Sequence, residues 1–66
     1  MSETLTSLRA QIRKEARFVG RKPYAHNIIG LALQMIAKEF GQAEANKAVR
    51  DFHLKSKGFN EEPENG

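Results

Sequence analysis

The residues of this sequence best suited to binding chemistry are a group of cations near its N-terminus. Residues 9–22 contain one acidic residue, Glu15, and six basic ones: Arg9, Arg13, Lys14, Arg17, Arg21 and Lys22. On a helix the first four fall within an arc of about 140°, and the last two extend the group beyond the helix end. Such a row of cations neutralises successive phosphates when a protein binds DNA or RNA. The same row would dock an acidic protein surface, pair with the acidic tail or be solvated, and the sequence leaves these interpretations open.

A second candidate site lies in the C-terminal half, where Asn46 and Arg50 stand four residues apart. A helix here places both on one face, and His53 and Lys57 continue the row. Asn and Arg are the side chains that bind adenine and guanine edges through two hydrogen bonds. The solvent-facing row of any amphipathic helix has a similar composition, and this simpler interpretation is favoured. Asn46 and Arg50 nevertheless join the six cations as candidate residues for binding nucleic acid or an acidic partner.

Residues for catalysis or metal binding do not form a recognisable pattern. His26 has no histidine or carboxylate three or four residues after it, and Asp51 does not share a helix face with His53. The glycines are not spaced as a phosphate-binding loop, and no serine stands in a Gly-x-Ser-x-Gly context. The chain has no cysteine, so it has neither a thiolate metal site nor a disulfide. We therefore expect a protein that is not an enzyme and binds no cofactor or metal.

Three stretches of the chain repeat apolar residues every three or four positions, which is typical of amphipathic helices. Ser2 is a suitable N-cap for the first helix, and Gly20 and Gly41 suit the positions just after the first and second. Pro23 suits the start of the second helix. The predicted helices cover approximately residues 3–19, 24–40 and 42–53.

These helices predict an all-α fold, a small three-helix domain over residues 1–59. No alternating pattern is long enough for a strand. Residues 60–66 consist of Asn, Glu, Pro and Gly and carry three glutamates, so they predict a disordered acidic tail. The net charge of +3 therefore combines a basic first third with an acidic end.

The junction of the second and third predicted helices resembles the DNA-binding helix-turn-helix. Within residues 36–49, Ala37 stands four residues before Gly41, and a second helix follows. The sequence departs from the family pattern at Gln42, where an apolar residue is usual, and at Lys47, where a buried aliphatic residue is usual. An ordinary αα-hairpin has the same alanine and glycine pattern, so both interpretations stay open.

The second predicted helix is apolar over about two-thirds of its circumference, whereas a surface helix needs a stripe only a little wider than about 100°. A 66-residue chain without disulfides has a marginal core, and oligomerisation is a common way to complete one. We therefore predict a homodimer through this central helix. Its interface is predicted to contain Tyr24, Ile28, Leu31 and Met35.

Two functions from different classes follow from this sequence. The first is a small basic helical protein that binds DNA or RNA, or has a regulatory role, through the cations of the first helix. The alternative is a non-catalytic protein-interaction module or small subunit that binds an acidic protein. No signal peptide is visible and the longest apolar stretch is too short to span a bilayer, so we expect a cytoplasmic protein with no membrane partner.

Overall fold

The computed structural model describes residues 4–63, which form three α-helices and a short 3₁₀ helix, with no strand in that range. Helix α1 spans Leu5–Ala16, α2 spans Pro23–Phe40 and α3 spans Gln42–Asp51. The 3₁₀ helix spans Leu54–Lys57. The predicted all-α class with three helices is confirmed.

Helix α1 is shorter than the predicted 3–19. Its N-cap is Thr4, whose Oγ1 accepts a hydrogen bond from the Ser7 N–H at 3.0 Å; Ser2, the predicted N-cap, lies outside the described residues. At the other end the Phe18 N–H donates to the Glu15 carbonyl three residues back, which replaces the helical bond and begins a series of turns over residues 17–22. Gly20, with φ of +89°, therefore lies within the connection and not directly after the helix.

Helix α2 begins and ends close to the predicted 24–40. Pro23 occupies its first turn, where the missing N–H is no loss, and Gly41 ends it with φ of +102°, a conformation that other residues rarely adopt. Helix α3 begins at the next residue, Gln42. This one-residue connection is shorter than the turn of about 3–4 residues in a DNA-binding helix-turn-helix. The alanine and glycine pattern here marks a direct helix–glycine–helix junction.

The core forms around α2. The buried hydrophobic residues of the three helices, each at most 3% exposed, are Leu8 and Ile12 in α1, Ala25, Ile29, Ala32 and Ile36 in α2, and Ala45, Ala48 and Val49 in α3. Helix α3 ends at Asp51, two residues before the predicted end, because His53 adopts a left-handed conformation with φ of 55°. That reversal turns the 3₁₀ helix back toward the core and buries Leu54 completely.

The chain beyond the 3₁₀ helix, residues 59–63, is called the C-terminal segment below. The sequence predicted disorder from residue 60, whereas the structure holds Glu62 against α3 through Asn46. The Asn46 Nδ2 donates to the Glu62 carbonyl at 2.8 Å, and its Oδ1 accepts from the Glu62 N–H at 2.9 Å. Phe59 is 9% exposed and its ring stacks on His26 with centroids 4.3 Å apart. The structure therefore holds the backbone of residue 62 against α3, while residues 64–66 lie outside the described part of the chain, and the disorder of the acidic tail stays a prediction.

We predict that Asn46→Ala releases the C-terminal segment, because it removes both hydrogen bonds to the Glu62 backbone. The expected loss is about 1–3 kcal/mol of unfolding free energy, measured by urea denaturation, with faster exchange of the Glu62 amide. Asn46→Asp keeps the acceptor but cannot donate to the Glu62 carbonyl, so it should also accelerate this exchange. Asn27→Ala, at an exposed position of α2, is the matched control. Unchanged exchange of the Glu62 amide in Asn46→Ala would contradict the proposed anchoring.

Candidate polyanion-binding surface

Five cations of α1 and the following turns form one exposed surface, called the α1 basic surface: Arg13, Lys14, Arg17, Arg21 and Lys22. Among residues 4–63, no acidic side chain lies within ion-pair distance of any of them. Even Glu15, the acidic residue in the same stretch, forms no ion pair in that range. The charges of this surface therefore remain available to an external anion.

The middle of this surface is concave. Three of its cations, Arg13, Lys14 and Arg17, surround a depression of about 400 Å³ that is also lined by Ala10 and the ring of Phe18. Positions 10, 13, 14 and 17 follow the spacing of one helix face, so α1 itself sets this arrangement. The result is a partly apolar hollow with a cationic rim.

Lys22 connects this hollow to a second aromatic ring. Its ammonium nitrogen lies 4.3 Å from the centroid of the Phe18 ring and 5.6 Å from that of Tyr24. Phe18 is half-buried, whereas Tyr24 is 50% exposed. Sequence reasoning placed the cations but missed Phe18 as part of the site. The available signal was the alternation of basic and aromatic residues over positions 17–24.

Arg9 does not belong to this free surface, although the sequence grouped it with the other cations. Its Nη2 donates to the Asp51 Oδ2 at 2.7 Å, and its guanidinium lies 5.0 Å from the centroid of the Phe52 ring. The hydrogen bond from Arg9 lowers the pKa of Asp51 below its ordinary value, against a smaller opposing effect of burial. Arg9 therefore joins α1 to the end of α3.

The α3 candidates are not available as predicted. Asn46 is only 3% exposed because it holds the C-terminal segment, so it does not lie on the outer face of the helix. Arg50 is exposed but pairs with Glu61, whose other carboxylate oxygen accepts from the Lys55 ammonium at 2.9 Å. Glu61 thus neutralises Arg50 of α3 and Lys55 of the 3₁₀ helix, and it pairs with neither Lys14 nor Arg17. Asn46 and Arg50 are therefore excluded from the α1 basic surface.

Helix α2 leaves an apolar row uncovered, called the α2 apolar row. Leu31 is 53% exposed, Met35 39% and Tyr24 50%, while Ile28 in the same row is half-buried. These are the four residues assigned to a dimer interface by the sequence. The row begins at Tyr24, next to Lys22, so it adjoins the α1 basic surface.

Neither metal chemistry nor a membrane span has structural support among residues 4–63. No group of three or more His, Cys, Asp or Glu side chains in that range could hold a metal ion. No helix there combines the length and the apolar character needed to cross a bilayer.

The chain was also compared with known proteins. No family model matches it, and no curated protein or solved structure matches it either. Its function therefore has to be inferred from its own surfaces.

We predict that Glu61 stabilises the fold in a pH-dependent way. Hydrogen bonds from Lys55 and Arg50 lower the pKa of Glu61 from its ordinary 4.5, with burial opposing the shift. The stabilisation is therefore complete above pH 4.5 and is lost as the pH falls through the lower value of the folded state. Urea denaturation should show Glu61→Gln less stable than the unaltered protein at pH 7, and this difference should shrink toward pH 3.

The matched control is Glu62→Gln, because the Glu62 side chain is exposed and forms no ion pair among residues 4–63. This variant should match the unaltered protein in stability at pH 7. An equal loss in both variants, or a difference for Glu61→Gln that persists at pH 3, would contradict a specific role of the Glu61 ion pairs.

Proposed function

We propose that this protein binds nucleic acid and that the α1 basic surface holds the phosphate backbone. One observation carries the proposal: the five cations of this surface have no acidic partner among residues 4–63, whereas Arg9, Arg50 and Lys55 are paired with carboxylates. Unpaired cations concentrated on one face favour a polyanion, because each contact with a phosphate releases a condensed counterion. The paired cations Arg9, Arg50 and Lys55 would have to break their ion pairs with carboxylates before they could bind a phosphate.

The two central arginines of the surface are the residues most directly tested. Arg13 lies in α1 and Arg17 is its C-cap residue, four positions and about one helical turn further along the same face. Arginine binds phosphate oxygens with its planar guanidinium through two parallel hydrogen bonds. Each is exposed and lies at the rim of the hollow, so both are accessible to a strand that follows α1.

We expect Arg13→Gln/Arg17→Gln to weaken nucleic-acid binding by removing two phosphate contacts. The measurement is fluorescence anisotropy with labelled 20-nucleotide oligomers, at several salt concentrations between 50 and 200 mM. The slope of log affinity against log salt should become shallower by about 1.4 for a single strand or about 1.8 for a duplex.

The matched control is Lys38→Gln/Lys47→Gln, which removes the same charge from exposed positions of α2 and α3. It should leave the slope close to that of the unaltered protein. The proposal is wrong if the unaltered protein binds neither form at 50 mM salt, or if the control loses affinity to the same extent.

We also propose that the protein forms a homodimer through the α2 apolar row. The support is the exposure of Leu31 and Met35 beside the buried face of α2 that contains Ile29, Ala32 and Ile36. Burying a Leu or Met side chain contributes about 1.5–3 kcal/mol, so a row repeated on both partners matters to a domain of this size. A two-fold contact would bring two copies of the α1 basic surface into one assembly.

Leu31→Glu should convert this dimer to a monomer, because it places a charge at the centre of the contact. Light scattering should change from twice the 7.4 kDa mass of one chain to that mass. The melting temperature should fall by at least about 5 °C, given the lost burial. Gln11→Glu, an exposed position of α1, adds the same charge elsewhere and should remain dimeric. If Leu31→Glu has the same mass in solution and the same melting temperature as the unaltered protein, the proposed contact is wrong: either the dimer forms through another surface or the domain is monomeric.

The second candidate function is a protein-interaction module with an acidic protein partner. The observation that favours it is that the α2 apolar row adjoins the α1 basic surface at Lys22 and Tyr24, as a partner with an apolar centre and acidic rim would require. Stoichiometry distinguishes the two candidates. A monomer that binds no nucleic acid at low salt favours the interaction module.

A further inference from the structure

We propose that the α1 basic surface binds single-stranded nucleic acid in preference to duplex, with an unstacked base placed on the ring of Phe18. This inference rests on the proposed function and adds the class of nucleic acid that the site accepts. It starts from the hollow of about 400 Å³, where Phe18 and Ala10 supply the apolar part and Arg13, Lys14 and Arg17 the cationic rim.

The lining of this hollow offers the two kinds of contact that one nucleotide needs. A base needs a flat apolar contact, which an aromatic ring supplies regardless of sequence. Its phosphate needs cations a few ångströms away, which the two arginines of the rim supply. A paired base in a duplex is stacked on both faces and cannot reach a hollow on the side of a helix without being extruded, at a cost of a few kcal/mol.

Lys22 also contacts the Phe18 ring, although it does not line the hollow. Its ammonium lies 4.3 Å from the Phe18 centroid, within the range of a cation–π contact. Such a contact contributes about 0.5–1 kcal/mol at an exposed site, whereas stacking on an aromatic side chain contributes about 1–3 kcal/mol per base. Stacking of a base on Phe18 therefore outweighs the contact with the ammonium, and Lys22, which is itself exposed, is free to contact a phosphate instead.

Tyr24 extends the same surface to a second base. The Lys22 ammonium also lies 5.6 Å from the centroid of the Tyr24 ring, and half of the residue is exposed. Phe18, Lys22 and Tyr24 thus place a cation near two aromatic rings. A single strand, in which bases and phosphates alternate, can use both kinds of contact. Duplex binding uses only the charges.

The unaltered protein provides the first test, which does not depend on the folding of any variant. Anisotropy titrations compare oligothymidylate and oligouridylate of 20 nucleotides with a 20-base-pair DNA duplex, at 50 mM salt. Charge alone favours the duplex, because its phosphates are more densely spaced. We expect both single strands to bind at least about fivefold more tightly than the duplex, in line with one stacked base.

Substitutions then test whether the rings of Phe18 and Tyr24 cause the preference for single strands. Phe18→Leu should lower single-strand affinity about fivefold or more, with duplex affinity and the salt slope unchanged. Tyr24→Leu should lower single-strand affinity more than duplex affinity, and light scattering checks that its oligomeric state is unaltered, because Tyr24 also belongs to the α2 apolar row. Phe18→Tyr retains a ring and should retain single-strand affinity. Phe40→Leu is the matched control, because Phe40 is 39% exposed at the far end of α2. Circular dichroism and melting temperature check that each variant is folded.

The outcomes separate this inference from the proposed function. Equal or tighter binding to the duplex overturns the single-strand preference and leaves nucleic-acid binding standing. Phe18→Leu behaving like Phe40→Leu overturns the role of Phe18 in the same way. Absence of binding to all three oligomers at 50 mM salt overturns the proposed function itself.

Discussion

The apolar circumference of α2 is the constraint on which the other parts of this structure depend. Helices α1 and α3 bury one side of it, around Ile29 and Ile36. The C-terminal segment covers a further part, since the Phe59 ring lies 3.9 Å from where a Cβ on Gly30 would stand. Among residues 4–63 no element packs over Leu31 and Met35, which stay exposed. The apolar arc of α2 is thus wider than the part that the described helices and the C-terminal segment bury.

The contact between the C-terminal segment and α3 also determines which basic side chains are paired with a carboxylate. Glu61 must come close to α3 when Asn46 holds the Glu62 backbone, and it then neutralises Arg50 and Lys55. At the same end of α3, next to Arg50, Asp51 pairs with Arg9. Surface ion pairs each add only a small stabilisation, and these pairs also determine which cations are neutralised. Arg13, Lys14, Arg17, Arg21 and Lys22 keep their charge without an ion pair among residues 4–63.

Sequence reasoning predicted the parts of the fold that local signals determine and missed those that depend on distant contacts. Pro23 and Gly41 act on their own backbone, so the ends of α2 were predicted closely. The end of α1 was missed, because the turns after Ala16 allow Val19 to pack against the core, which periodicity alone does not reveal. Asn46 was assigned to the wrong environment, because its partner is the backbone of a residue sixteen positions away. The cations of the candidate site were predicted from the sequence. Its concave shape was not, because it depends on the turn after α1 that places Phe18 beside them.

The α1 basic surface and the α2 apolar row meet at Lys22 and Tyr24, so contacts on one surface affect the other. The proposed two-fold contact, centred on Leu31, would lie about 10 Å along α2 from Tyr24, at a rise of about 1.5 Å per residue. That separation would leave the Tyr24 ring at the margin of the contact. Two linked binding surfaces on one strand raise the effective concentration of the second contact. The proposed dimer would therefore bind a strand more tightly than one chain with a single α1 basic surface.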